Sequence, residues 1–182
     1  MTLGAFEGHA AWGSPEAWDR YSYVRVKALV DKTGRAQPLI DAKARVPEAE
    51  VAGFIDASLD HAINQAYRGL KCLRDGDPVA SRLEAAEGVK PFLDAAFALH
   101  GGRLRPYYKY LAAELGADPL VKLPIATERL QQCLGDVLDP GGAVALSRLL
   151  ADCRPAFVGA RHAAVFEGWG AQLEWILTWS PS

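Results

Sequence analysis

Apolar residues recur every three or four positions along most of the chain, starting near residue 47. The positions that show this most clearly are Val51, Ile55, Leu59, Ile63, Tyr67 and Leu70. Such spacing places apolar side chains on one face of an α-helix. Pro47 suits the start of that helix, and the segment RDGDP at 74–78 contains the residues that end one.

Weaker patterns of the same kind predict further helices toward the C-terminus. Their expected ranges are about 79–99, 106–116, 127–138, 143–154 and 160–179. Pro91 and Pro155 are expected to kink or split the helices that contain them, since proline removes a backbone donor. The segments HGG at 100–102 and DPGG at 139–142 are typical helix stops. Short connections between apolar-faced helices predict a bundle of about five to six helices over 47–182.

The N-terminal segment, residues 1–46, has a different pattern. The stretch YSYVRVKALV at 21–30 is rich in residues that favour strands. A turn signal, DKTG, follows at 31–34, and RAQPLID at 35–41 returns as a second extended stretch. The sequence therefore predicts a mainly α protein whose helical bundle is preceded by a short β hairpin, with Pro38 at its edge.

Composition narrows the classes of partner. Of 182 residues, 20 are Lys or Arg and 22 are Asp or Glu, which gives a net charge of −2. That balance predicts no general attraction to nucleic acid. No segment is apolar enough to suggest a signal peptide or a membrane span. The three widely spaced cysteines show no disulfide or zinc pattern, so we expect a cytoplasmic protein with no membrane partner.

Known catalytic motifs do not stand out. Asp75 and Asp77 form a D-x-D, but they flank a glycine between two helices, where a helix stop and an N-cap explain them. No two of the four histidines have metal-ligand spacing, and no GxSxG or phosphate-binding loop occurs. We assign no catalytic residue and expect no metal site in this chain alone.

The candidate binding site combines three features. One helix face is basic, a second is acidic, and a third helix begins with aromatic residues. The first long helix carries a polar stripe, the next carries two glutamates three residues apart, and RPYYKYLAAEL at 105–115 sets a lysine among tyrosines. The candidate substrate-binding residues are Arg68, Lys71, Glu84, Glu87, Tyr107 and Lys109. The alternative is that these helices face solvent with ordinary ion pairs, while the tyrosines seal the bundle and the lysine extends outward.

Two of these stretches also resemble a known family. INQAYRGLKCLRDGD at 63–77 and ASRLEAAEGVKPFLDAAFALHGGRLRPYYKYLAAEL at 80–115 are similar to the helical C-terminal region of DNA polymerase β-like nucleotidyltransferases. This group includes the aminoglycoside-type enzymes, and the resemblance covers about residues 22–115. It implies that the helices close over a nucleotide and contact the substrate. Tyr107 or Tyr108 would stack on a ring, Lys109 would reach a phosphate, and Glu87 would act as a base or contact a cation.

The catalytic half of that family is not recognisable in the sequence. Its GS turn is followed by a strand with D-x-D that holds Mg²⁺, whereas no such strand follows Gly13-Ser14. We therefore expect a nucleotide- or substrate-binding domain that is not catalytically complete alone, and that needs Mg²⁺ and a nucleotide only if a catalytic half is supplied. The alternative is a non-catalytic helical protein that dimerises or binds a catalytic partner subunit. The late tryptophans Trp169, Trp175 and Trp179 favour that alternative.

Overall fold

The structure is a computed structural model that describes residues 2–180, and this part of the chain is mainly helical. The α-helices are α1 (Leu3–Gly8), α2 (Ala36–Lys43), α3 (Val51–Arg74), α4 (Pro78–Leu99), α5 (Tyr108–Ala117), α6 (Thr127–Asp136), α7 (Gly142–Gly159), α8 (Ala163–Gly168) and α9 (Ala171–Thr178). Two short 3₁₀ helices span Ala17–Tyr23 and Glu48–Glu50. The mainly α class is confirmed, and the helices are more numerous than predicted.

The bundle is built on the antiparallel pair α3 and α4, which α7 crosses. The turn between α3 and α4 ends at Asp77, whose carboxylate caps α4 by accepting the Ala80 N–H at 2.9 Å. Ile55, Leu59 and Ile63 are buried, as the spacing predicts. Gly88 has no side chain at the point where α4 meets α7, so the Leu146 side chain packs directly against the α4 backbone.

The predicted N-terminal hairpin is wrong, because no β-strand occurs in residues 2–180. Residues 35–41, expected to be the returning strand, instead largely form α2. The Asp31 carboxylate accepts the N–H groups of Ala36 (2.8 Å) and Gln37 (3.2 Å), which are free donors at the start of that helix. The Gln37 side chain then accepts the Ala28 N–H at 2.7 Å. These local side-chain hydrogen bonds compete with strand pairing and replace it.

A buried arginine organises the segment that comes before the bundle. Arg20 is only 4% exposed and lies over the Trp12 ring. Its guanidinium donates to the carbonyl oxygens of Ala10 (3.1 Å), Ala42 (2.6 Å) and Arg45 (2.7 Å). One side chain therefore ties Ala10 to the end of α2 at residues 42–45, which is far from it in the sequence. Burial lowers the pKa of this guanidinium below its ordinary value.

A buried lysine does the same for the first helix. Lys43, at the end of α2, donates from Nζ to the carbonyl oxygens of Glu7 (3.0 Å) and His9 (2.5 Å) and lies over the Phe6 ring. Burial lowers the pKa of Lys43 and the nearby Arg20 charge adds to the effect. The N-terminal segment is thus held by cations on backbone carbonyls as well as by apolar contacts.

This segment joins the bundle at a short stretch of backbone pairing. Val46 donates its N–H to the carbonyl of Gly102 at 2.8 Å, and Arg45 forms an isolated antiparallel bridge with Arg103. Gly102 has a φ of +72°, and an added Cβ would lie 3.2 Å from the Val46 carbonyl. Glycine at this position lets the two backbones meet.

The observed C-terminal helices can be compared with the predicted ones at two prolines and one glycine. Helices α4 and α7 continue through Pro91 and Pro155, so neither proline splits its helix. For α4, packing against α3 and α7 outweighs the missing backbone hydrogen bond. The single helix predicted over 160–179 is instead two, because Gly170 takes a φ of +51° between α8 and α9. Within residues 2–180, no helix is both long and apolar enough to cross a membrane.

Candidate functional site

Three tyrosine rings meet where the N-terminal segment contacts α5. The Tyr21 ring centroid lies 5.2 Å from that of Tyr107 and 6.3 Å from that of Tyr110, and the latter two are 6.5 Å apart. Tyr21 and Tyr107 meet edge to face, which is the favoured geometry for aromatic pairs. We call this group the tyrosine cluster.

Local sequence explains two of the three rings of this cluster. Tyr107 is the N-cap of α5, and Tyr110 and Glu114 follow at three- and four-residue spacing, so the three side chains share one helix face. Tyr21 comes from the Ala17–Tyr23 3₁₀ helix. The neighbouring Arg20 fixes that helix against the backbone, which positions the Tyr21 ring.

A buried carboxylate lies at the centre of the site. Glu114 is 8% exposed, and its Oε1 accepts hydrogen bonds from the Tyr21 hydroxyl at 2.9 Å and from Arg25 Nη2 at 2.5 Å. Burial, followed by the hydrogen bond to Glu114, raises the pKa of Tyr21 to about 12. Tyr21 therefore remains a neutral hydrogen-bond donor at physiological pH. The Arg25 side chain is 69% exposed, so the ion pair is open to solvent on that side.

These side chains surround a cavity of about 390 Å³. It is lined by Tyr21, Ser22, Val24, Arg25, Tyr107, Tyr110, Ala113 and Glu114. This volume lies at the small end of the range of small-molecule sites. The negative faces of aromatic rings and an adjacent carboxylate both attract a cation, so the arrangement suits an organic ammonium or guanidinium group.

Four of the six predicted site residues lie together on the α3–α4 pair. Arg68 forms an ion pair with Glu84 at 2.6 Å, and Glu87 accepts a hydrogen bond from Gln65 at 2.9 Å. Lys71 lies on the same part of α3, with its Nζ 5.1 Å from the Tyr67 ring centroid. Arg68 and Glu84 thus satisfy each other across the two helices, as the solvent-facing alternative predicts.

The other two predicted residues lie at the start of α5. Tyr107 lines the cavity, while Lys109 lies beside it with Nζ 4.8 Å from the Tyr110 ring centroid. Asp94, ten residues beyond Glu84 on α4, pairs with Arg105 at 2.8 Å, just before α5. Ten helical residues correspond to about 15 Å. The six residues therefore form two separate groups, and none of the first four lines the tyrosine cavity.

Sequence reasoning did not assign Tyr21, Arg25 or Glu114 to the site. Glu114 had a usable signal, because it lies one helical turn after Tyr110 on the same face. Tyr21 and Arg25 had none, since they were placed on a strand. Their partner Glu114 is 93 residues away from Tyr21 in the sequence, a separation that no local pattern reveals.

The residues present do not fit a magnesium site of the family's kind. Both carboxylate oxygens of Asp75 accept hydrogen bonds from Arg74, and Asp77 caps α4. Within residues 2–180, no group of three or more His, Cys, Asp or Glu side chains is arranged to hold a metal ion.

Fold and site together define an all-helical domain with an aromatic and carboxylate pocket at the junction of two segments. Comparisons with protein-family models, with curated proteins and with solved structures find no match to this chain.

Proposed function

We propose that the protein is a helical ligand-binding domain whose tyrosine pocket binds a small organic cation. The observation that carries the proposal is the buried Glu114 carboxylate beside three tyrosine rings, already paired with the guanidinium of Arg25 at 2.5 Å. A ligand cation would take the position of this exposed arginine. This role agrees with the substrate-binding domain that the resemblance to nucleotidyltransferases implies. We propose descent from that family only on this resemblance.

The charges around the cavity favour a cation over an anion. Among residues 2–180, Arg25 is the only basic side chain that lines the cavity, and it is paired with Glu114. Tyr21 stays protonated, so its hydroxyl adds a donor without adding charge. A ligand with hydroxyl groups beside its ammonium group would also meet the exposed Ser22 hydroxyl at the rim.

The first test compares choline with its neutral isostere 3,3-dimethylbutan-1-ol, by isothermal titration calorimetry on the full chain. The two molecules match in shape and differ in charge. A cation–π contact at a desolvated site is worth about 2 kcal/mol, so choline should bind at least about tenfold more tightly. Equal affinities, or no binding of choline, would contradict the proposal.

Two variants of one ion pair should change choline affinity in opposite directions. Glu114→Gln removes the charge, keeps an acceptor for the Tyr21 hydroxyl, and should weaken binding. Arg25→Ala removes the competing guanidinium and should strengthen it. Tyr108→Ala is the matched control, because Tyr108 is 56% exposed and packs against Arg105 outside the cavity. A weaker affinity in Arg25→Ala would refute competition at Glu114.

Nucleotide binding is tested separately with ATP and Mg²⁺. The resemblance predicts contacts from Lys71, Glu87 and Lys109. If the triple alanine variant bound ATP as wild type does, those contacts would be excluded. Failure of this titration would leave the choline result unaffected, because none of the three residues lines the tyrosine cavity.

Self-association is the second candidate function. Trp18, Leu29 and Val30 are 70%, 97% and 74% exposed, an unusual amount of apolar surface for one short segment. By contrast, Trp169 and Trp175 are partly buried and pack on Tyr67. Light scattering at micromolar concentration should show a dimer that Leu29→Glu dissociates; a monomeric wild type would exclude this function.

A further inference from the structure

A second and larger groove lies away from the tyrosine cluster. Its volume is about 790 Å³, and it is bounded by residues 45–56, the end of α4 with the following glycines, and the turn between α7 and α8. The charged and titratable side chains that line it are Arg45, Glu48, Asp56, Lys122, Arg161 and His162. The basic residues come from three separate parts of the chain, so only the tertiary structure brings them to one groove.

The histidine in this groove is held by a carboxylate. His162 is 7% exposed, and its Nδ1 lies 2.7 Å from Asp56 Oδ1. The Nδ1–H donates to Asp56, so the imidazole ring is oriented and the Asp56 charge is engaged. Within residues 2–180, Nε2 has no hydrogen-bond partner, and it is therefore the ring nitrogen that can contact a ligand.

Arg161 has a backbone conformation that normally requires glycine. Its φ is +76°, in the left-handed region. The hydrogen bonds Arg161 N–H to Val158 O and His162 N–H to Phe157 O, both 3.0 Å, form the helix-ending turn in which glycine usually occupies this position. A side chain there costs about 1–2 kcal/mol. Strain at a residue that lines a cavity indicates that its side chain has a use there.

None of the three basic side chains has an acidic partner in the described part of the chain. Among residues 2–180, neither Arg45 nor Arg161 has a carboxylate within 4.0 Å. Lys122, which also has no carboxylate within 4.0 Å, donates from Nζ to the Leu99 carbonyl at 2.7 Å. The groove therefore has an excess of free donors, while one of its two carboxylates is already bound to His162.

We propose that this groove binds a small molecule that carries a phosphate group. Guanidinium groups match phosphate oxygens in geometry, and Arg45 and Arg161 would supply the donors. The rest of the ligand would lie along the apolar wall formed by Val51, Ile55 and Leu99. This site is separate from the tyrosine pocket and does not depend on the function proposed above.

The test titrates the full chain with phenyl phosphate and with inorganic phosphate at low ionic strength, where screening is weak. Binding is followed by ¹⁵N-resolved NMR, which reports the amides of Arg161 and His162 directly. Phenyl phosphate should bind more tightly than inorganic phosphate, because its ring contacts the apolar wall. Shifts at these amides that saturate are expected; no binding of either probe would overturn the proposal.

The Arg161→Gly variant separates function from folding. It should raise Tm by about 2 °C, because glycine accepts the left-handed conformation without strain. It should also weaken phenyl phosphate binding about tenfold or more, since a charge-assisted hydrogen bond is lost. Arg148→Ala is the matched control, an exposed arginine on α7 that does not line the groove. Equal weakening in both variants, or unchanged affinity in Arg161→Gly, would refute the site.

Discussion

The contact between Gly88 and α7 provides the sharpest test of the packing. In a Gly88→Ala variant, the added Cβ would lie 2.4 Å from Leu146 Cδ2 and 3.2 Å from Gln65 Cβ. Carbon atoms in contact prefer about 3.5–4.0 Å, so the leucine would have to withdraw by about 1 Å. Leu146 is fully buried, so its displacement would disturb the side chains packed around it.

Two opposing effects set the magnitude. Overpacking a buried site typically costs about 1–3 kcal/mol. Alanine favours the helix over glycine by about 1 kcal/mol, which offsets part of that cost. Because both neighbouring side chains, Leu146 and Gln65, are buried, we take the upper part of the first range and expect a net loss of about 1–2 kcal/mol in the free energy of unfolding. For a chain of this size the loss corresponds to about 2–8 °C in Tm.

Thermal and urea unfolding followed by circular dichroism at 222 nm measures this loss. Gly53→Ala is the matched control: Gly53 lies in α3 with nothing within 4 Å of the added Cβ, so this variant should gain about 0.5–1 kcal/mol. Leu146→Ala removes the clashing atoms, so Gly88→Ala should become stabilising in that background. A single variant Gly88→Ala as stable as wild type would refute the close approach of α4 and α7.

Three further predictions concern buried polar and sulfur groups. Arg20→Met leaves three backbone carbonyls without their donor and should lower the free energy of unfolding by on the order of 3 kcal/mol. Residues 2–46 should also be cleaved faster by proteases. Unchanged melting and proteolysis would contradict the role of Arg20 in holding this segment. His100 accepts the Lys122 N–H on Nε2, and burial lowers its pKa. The unfolded chain therefore binds the proton more readily. The contribution of His100 to the free energy of unfolding is complete above about pH 6.5 and declines as the pH falls below that value. Thermal melts from pH 7.5 to 5.5 should therefore show a smaller pH dependence in His100→Asn than in wild type. A thiol reagent should modify the half-buried Cys72 first. Burial raises the pKa of Cys153 to about 12, so this thiol should react only on unfolding. Early modification of Cys153 would show that its site is open to solvent.

The bundle was predictable because its signals are local. The apolar spacing from Val51 to Leu70, the Asp77 cap and the stop at residues 100–102 each act within a turn or two, and the structure confirms them. The sequence left open whether Pro91 would kink or split the helix, and α4 continues through it because packing against two other helices stabilises it.

The N-terminal segment could not be predicted for a different reason. Its arrangement depends on Arg20 and Lys43, whose acceptors are backbone carbonyls, and a backbone carbonyl leaves no mark in the sequence. Asp31 also looked like an ordinary turn residue, although it caps the start of α2. The candidate site was only partly predictable for the same reason. Tyr107 was assigned from the pattern of its own helix, whereas Tyr21 was missed because the N-terminal segment places it in the pocket.

The walls of the tyrosine pocket belong to two parts of the chain. Tyr21 and Arg25 come from the N-terminal segment, whereas Tyr107, Tyr110 and Glu114 come from the bundle. A molecule that contacts both walls binds only the docked arrangement, so its binding free energy adds to the docking free energy. At a concentration one hundred times its Kd, this linkage amounts to about 2.7 kcal/mol. The amide hydrogens of residues 2–46 would then exchange up to about a hundredfold more slowly, which makes this segment a reporter of occupancy.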